Sequence, residues 1–183
     1  MGELHIIFGP MFAGKSTYLI NTITSLLDNK ENTLDDILII NHSSDKRYSN
    51  NSEICTHDNI KMPSISLNRI EEIFNCPDVF NKTYIFIDEG QFFGDLYESV
   101  KLLLIIYKKI IYIGGLDGDY KQETFSESRL FNLIPYATTV KKLTAKCSDC
   151  NQIAPFTKRL VCSDEQILVG GSDSYKPVCL NHL

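Results

Sequence analysis

From its first residues the chain repeats one rhythm: a short unbroken apolar run, then a longer stretch with apolar residues at helical intervals. The runs are residues 4–8 (LHIIF), 37–40 (ILII), 84–87 (YIFI) and 110–113 (IIYI). A strand with one wet face alternates apolar and polar positions. These runs do not alternate, which predicts a parallel sheet covered on both faces. Residues 16–29 and 92–109 carry the helical pattern between them, and such alternation predicts βαβ units with right-handed crossovers.

The rhythm stops near residue 140. Short polar pieces follow, with Gly170-Gly171 and paired Cys and His residues among them. The expected organisation is therefore residues 1–140 as an α/β domain and 141–183 as a small unit held by a metal. The Asn- and Ser-rich stretch 41–52 reads as a mobile loop or hairpin. Repeats and low-complexity tracts are absent from the sequence.

Composition narrows the class. The 183 residues are 43% hydrophobic and 22% charged, ordinary for a globular protein. The net charge of −5 argues against nucleic acid as the main partner, because a duplex-binding face is usually strongly basic. No apolar run approaches the roughly 20 residues that span a bilayer, so no membrane association is expected. Met1-Gly2-Glu3 leads straight into a strand-like run, and Ile6 occupies the place where a myristoylation signal wants Ser or Thr. The expected location is the cytoplasm.

The first chemical motif is Gly9-Pro10-Met11-Phe12-Ala13-Gly14-Lys15-Ser16, which fits G-x-x-x-x-G-K-[ST] without a mismatch. Small residues let backbone N–H groups curl around phosphate oxygens, and the helix that follows points its positive end at them. Lys15 is expected on the β- and γ-phosphates of a nucleoside triphosphate, and Ser16 on Mg²⁺. The second motif is the apolar run 84–87 ending in Asp88-Glu89. Asp88 is placed to hold Mg²⁺, and Glu89 to accept a proton from the nucleophile that attacks the γ-phosphate. These residues predict an Mg-dependent phosphoryl transferase and leave the acceptor unnamed: water in an ATPase, a hydroxyl in a kinase.

Cys147-x-x-Cys150 and Cys179-x-x-His182 are two short-spaced pairs of the kind that grip one tetrahedral Zn²⁺. Four N and S ligands leave no open position, so a structural zinc is favoured over a catalytic one, with a redox CxxC as the alternative. Such a clamp would close residues 151–178 into a loop. Cys55, Cys76 and Cys162 stand alone and read as buried or incidental thiols.

Together these residues resemble the type II thymidine kinases. The pieces that carry the resemblance are GPMFAGKST (9–17), DKRYS (45–49), CTHD (55–58), DEGQFF (88–93), GLDGDY (115–120), KLTAKCSDC (142–150), TKRL (157–160) and VGGSDSYKPVC (169–179). The resemblance implies a P-loop NTPase-like parallel sheet flanked by helices, with a small C-terminal zinc-bound lasso domain. It implies transfer of the γ-phosphate of ATP to the 5′-hydroxyl of thymidine, and of deoxyuridine, in nucleoside salvage. Glu89 then resembles the general base, and Arg47 a cation near the phosphates. Met11 and Phe92 would line the pocket near the thymine methyl, and Tyr120 would stand where the family usually places Phe. Gln166, Ile167, Leu168, Val169 and Gly170 match a loop whose main chain meets the base. Tyr175 matches a tyrosine that holds this loop closed. A homotetramer and feedback inhibition by dTTP are further implications.

Blander readings stand beside these. Tyr120 and Phe92 can be core aromatics, Arg47 a solvated loop charge, and His57 and His5 structural residues. A different P-loop ATPase or nucleotide kinase is one alternative function, and a zinc-ribbon nucleic-acid-binding module another. Two details put the resemblance to work. The Tyr120 hydroxyl needs a partner if it is buried. Gly170 is the sensitive position of its loop if it adopts positive φ, where a Cβ is costly.

Overall fold

The structure, a computed structural model, describes residues 1–29, 31–44, 53–55 and 61–183. Its strands are β1 (Glu3–Phe8), β2 (Ile37–His42), β3 (Glu53–Cys55), β4 (Lys61–Pro63), β5 (Ile65–Leu67), β6 (Tyr84–Ile87), β7 (Ile110–Gly115), β8 (Thr139–Lys142), β9 (Ala145–Lys146), β10 (Ile153–Ala154), β11 (Phe156–Arg159) and β12 (Tyr175–Val178). Two α-helices, α1 (Lys15–Asp28) and α2 (Leu96–Ile105), accompany short 3₁₀ turns. Six strands form the central sheet in the order β5-β2-β6-β7-β1-β8, and every pairing within it is parallel.

The unbroken apolar runs have the expected cause. Leu4, Ile6, Leu38, Ile40, Ile85, Ile87, Ile111 and Ile113 share one face with Leu96, Val100 and Leu103 of α2. Ile7, Ile37, Ile39 and Phe86 point the other way, against Leu19, Ile20 and Ile23 of α1. Successive side chains thus enter two cores, and neither face can be polar. His5 is a structural residue of this second face, stacked on Tyr112 at 4.4 Å, with Tyr112 stacked in turn on Phe86 at 4.8 Å.

Two sheet strands lacked an apolar run. Every residue of β8 is exposed, and its Thr-Val-Lys-Lys sequence suits an edge that water and lysine keep from further pairing. At the other edge, β5 is three residues long and half exposed. Helix α2 is shorter than its pattern suggested. Residues 90–92 form a 3₁₀ turn, and Asp95 is occupied in accepting the N–H groups of Ile70 and Glu71 and the Ser99 hydroxyl. At the far end Lys108 takes a positive φ of 54°, which turns Lys109 inward to donate to the carbonyls of Phe80 and Lys82. Of the stretch 41–52, Asn41 and His42 belong to β2 and residues 45–52 lie outside the described residues.

The last forty-odd residues hold two small antiparallel pairs, β9 with β10 and β11 with β12. Their buried cluster is Cys147, Ala154, Val178 and Cys179. Among the described residues no helix is long and apolar enough to cross a membrane.

Candidate active site

The carboxyl ends of β1 and β6 supply the chemistry, with β7 between them. After β1 the chain turns through residues 9–14, and Gly14 (φ 82°) leads directly into α1. Lys15 is buried, its Nζ donating to the carbonyls of Gly9 at 3.2 Å and Pro10 at 2.9 Å. Its ammonium is thus folded back over the loop whose N–H groups the motif assigns to phosphate.

Ser16 and Asp88 meet across β7. The Ser16 hydroxyl donates to Asp88 Oδ2 at 2.6 Å. The register of β6 with β7 brings Ile87 level with Ile113, so Asp88 reaches over the next residue, Gly114. A Cβ there would lie 3.0 Å from Asp88 Oδ1 and 3.1 Å from Leu19 Cδ1. Glycine leaves the groove through which the carboxylate passes. Two hard oxygen groups, a hydroxyl and a carboxylate, side by side at a helix start fit a magnesium ion.

Glu89 is 7% exposed and takes a left-handed φ of 53°, a strained conformation for a residue with a side chain. The turn it makes ends β6 and begins the 3₁₀ turn Gly90–Phe92. Gln91, also buried, donates from Nε2 to Glu89 Oε2 at 2.6 Å, while its Oε1 accepts the Leu116 N–H at 2.9 Å. One amide therefore ties the acid to the backbone just beyond β7.

Glu89 forms part of the wall of a cavity that opens to solvent. The connection between β11 and β12 contributes residues 166–170 to the same wall. Met11, Phe92, Tyr120, Gln166, Ile167, Leu168, Val169, Gly170 and Tyr175, all anticipated from the sequence, line this one space. Apolar walls with a few converging polar groups are the usual make-up of a small-molecule site. Phe92 packs edge-on against Phe125, at 6.4 Å between ring centroids. The Met11 N–H donates to the Thr157 hydroxyl at 2.9 Å, so the phosphate loop and β11 are joined directly.

The metal-type residues also converge. One ligand atom from each of Cys147, Cys150, Cys179 and His182 lies within 4.8 Å of all the others. Cys179 Sγ is 3.2 Å from His182 Nδ1, and Cys150 Sγ is 3.6 Å from Cys179 Sγ. Those are edge lengths of a tetrahedron with bonds of about 2.0 Å to N and 2.3 Å to S, so the four residues could hold zinc. Burial pushes the Cys147 thiol up, but backbone hydrogen bonds from Cys179, Asp149 and Cys150 outweigh it and bring it to about 6. A sulfur so disposed to be thiolate suits a metal.

The family model for thymidine kinase matches residues 2–183. The chain is 39% identical to thymidine kinase a of Arabidopsis thaliana, an alignment covering 99% of this chain and 74% of that one. It is 41% identical to the thymidine kinase of Yaba monkey tumor virus, with 97% and 92% covered. With the cytosolic thymidine kinase of Homo sapiens it shares 35% identity, over 97% and 71%. The chain belongs to the thymidine kinase family.

Within a thymidine kinase fold, the residues singled out from sequence fall into two neighbouring groups. Gly9, Pro10, Met11, Phe12, Ala13, Gly14, Lys15, Ser16, Asp88 and Glu89 gather at the strand ends, and Phe92, Tyr120, Tyr175 and residues 166–170 line the cavity together with Met11 and Glu89. Arg47 and His57 lie outside the described residues. Cys76 and Cys162 are exposed free thiols. The Tyr120 hydroxyl has its partner, the Ser163 carbonyl at 3.2 Å. Gly170 corrects an expectation: among the described residues the positive-φ glycines are Gly9 and Gly14. What Gly170 provides is room, since a Cβ there would stand 2.5 Å from Ser174 Oγ and 2.6 Å from Ser174 Cβ.

Sequence reasoning missed Gln91, Gly114, Asp119, Thr157 and Arg159. Each lies inside or beside a stretch that carried the family resemblance, DEGQFF, GLDGDY or TKRL. None belongs to a motif whose chemistry can be read without knowing what lies opposite it.

Proposed function

We propose that this chain transfers the γ-phosphate of ATP to the 5′-hydroxyl of thymidine, and to that of deoxyuridine, giving the nucleoside monophosphate. The observation that carries the reading is the shared position of Glu89: next to the Ser16–Asp88 pair on one side, and on the other in the wall of the cavity that Met11, Phe92, Tyr120 and residues 166–170 line. Residues 9–16 would receive the triphosphate through their N–H groups, with Lys15 exchanging loop carbonyls for phosphate oxygens. Ser16 and Asp88 would hold Mg²⁺, which neutralises charge on the transferring group. Glu89 would accept the proton of the 5′-hydroxyl as its oxygen attacks phosphorus and ADP leaves. Gln91 keeps one carboxylate oxygen engaged and so fixes the direction of the other.

The base would lie between Phe92, Met11 and Tyr120 on one side and the main chain of 166–170 on the other. Arg47 is proposed as a further cation on the phosphates. One structural zinc at Cys147, Cys150, Cys179 and His182 would hold residues 141–183 as a unit attached to the nucleotide-binding domain of residues 1–140. A cytoplasmic, homotetrameric salvage enzyme inhibited by dTTP is the biological setting this reading implies. A nucleoside panel with ATP and Mg²⁺ tests it. Thymidine and deoxyuridine are expected to be phosphorylated and purine nucleosides left untouched. Phosphorylation of purine nucleosides at equal rates, or ATP hydrolysis indifferent to any nucleoside, would overturn it.

A further inference from the structure

The connection 160–174 between β11 and β12 has little apolar burial to hold it. Ile167 is 44% exposed and Val169 48%, and no residue of 160–170 belongs to a buried hydrophobic cluster. Its shape has a polar cause. Arg159, the last residue of β11, stands directly opposite Tyr175, the first of β12. A guanidinium carries five N–H donors in one plane, and five contacts account for them. Nε and Nη2 donate to the Tyr175 hydroxyl at 3.2 and 2.8 Å. Nη1 donates to the carbonyls of Ser163 at 3.0 Å and Glu165 at 2.5 Å, and Nη2 to that of Gln166 at 3.0 Å. The Tyr175 hydroxyl in turn donates to the Leu168 carbonyl at 2.7 Å. Arg159 Cζ lies 3.8 Å from the centroid of the Tyr120 ring, whose hydroxyl meets the Ser163 carbonyl as well.

We propose that Arg159 is the positioning residue of this loop, the template on which residues 163–168 take their shape before a nucleoside arrives. The proposal deepens, and rests on, the reading of 166–170 as the base-binding loop. Four carbonyls converge on one cation and its tyrosine partner, so the loop's curvature is set by the guanidinium plane. A group with every donor committed has none left for a phosphate oxygen. Arg159 therefore acts on binding through the loop and not on the transferring phosphoryl group. Lysine cannot substitute, because an ammonium offers three donors in a tetrahedral array and no flat face for Tyr120.

The test uses the full-length, zinc-loaded enzyme and the variants R159K and R159Q, with Y175F as a milder perturbation that leaves the cation in place. Amide hydrogen exchange of residues 163–169 is followed without nucleoside, alongside steady-state kinetics for thymidine and ATP. Exchange is expected to speed up at least tenfold in both Arg159 variants and less in Y175F. The thymidine KM should rise at least tenfold, with kcat within threefold and the ATP KM unchanged. Wild-type exchange in R159K, or a fall in kcat with both KM values unchanged, would overturn the proposal. If the wild-type enzyme ignores thymidine, the reading of the site fails, and the exchange measurement still decides whether Arg159 shapes the loop.

Discussion

The two walls of the cleft are held by different means. On the phosphate side, Asp88, Glu89 and residues 9–16 hang from the ends of strands whose side chains fill two large apolar clusters, with eighteen buried members in one and seven in the other among the described residues. On the loop side the buried cluster has four members, and two of those are the metal-type residues Cys147 and Cys179. What replaces a core there is polar: the Arg159 contacts, the bond from Gln166 Nε2 to Asp119 Oδ2 at 2.9 Å, and the Lys176–Asp149 ion pair at 2.8 Å beside the Cys/His cluster. The lesson is that position on the phosphate side is inherited from the sheet, whereas on the loop side it depends on a few side chains. Damage to the first should appear in turnover, and damage to the second in nucleoside affinity.

The largest expected effect lies on the phosphate side. Glu89→Gln should cost roughly 10²–10⁴ in kcat with ATP binding near normal, because an amide cannot take the hydroxyl proton. A variant that keeps more than half the wild-type rate removes Glu89 from proton transfer. On the other wall, Cys147→Ala should release one zinc per chain, read by elemental analysis, and weaken thymidine binding by about ten- to a hundredfold, as expected when one or two ordered residues must be refixed on binding. ATP binding should survive, since the sheet does not depend on the cluster. Zinc-free wild-type protein that still binds thymidine tightly would erase the contrast between the walls.

This contrast also explains what could be read in the sequence. The phosphate loop was legible because its chemistry fixes residue types over eight consecutive positions, and the acid pair because it ends an apolar strand. The sheet was legible where strands are buried on both faces, and illegible at β8, whose Thr-Val-Lys-Lys is a water-facing edge. Helix α2 was drawn too long because Ile106 and Tyr107 continue the apolar pattern, although Ile106 is 63% exposed. Arg159 looked like one charge in TKRL, since its acceptors are backbone carbonyls that any sequence would supply. Gly170 was singled out for the wrong reason, because a glycine records only that a Cβ is unwelcome and does not say whether φ or a neighbour excludes it.

Gly114 tests whether the phosphate side is as dependent on backbone space as its geometry says. Gly114→Val places a branched side chain where Asp88 Oδ1 would already be 3.0 Å from a Cβ. The Asp88 carboxylate and the Leu19 side chain, 3.1 Å away, must then give way between them, and a displaced carboxylate next to the reacting groups should lower kcat by about tenfold or more. The Mg²⁺ concentration for half-maximal rate should rise and the thymidine KM stay constant. A rise in thymidine KM alone would mean that this region governs the cavity and not the phosphates.

The smallest effects separate backbone room from side-chain tethering in the loop itself. Gly170→Ala should raise the thymidine KM several-fold, because the added methyl overlaps the Ser174 side chain at 2.5 and 2.6 Å and one of the two segments must shift. Both overlapping atoms belong to a side chain, so the defect should be repaired by Ser174→Gly in the same protein. If φ were the cause, the second substitution could not help. Gln166→Ala removes the tether to Asp119, but Gln166 is exposed and water can replace its contact. Its effect on KM should therefore be smaller than that of Gly170→Ala, with ATP KM unchanged in each. A Gln166→Ala effect exceeding that of Gly170→Ala would show that the loop hangs from Asp119 more than from its own packing. A double variant that stays as impaired as Gly170→Ala would show that backbone angles at 170, and not Ser174, set the loop's form.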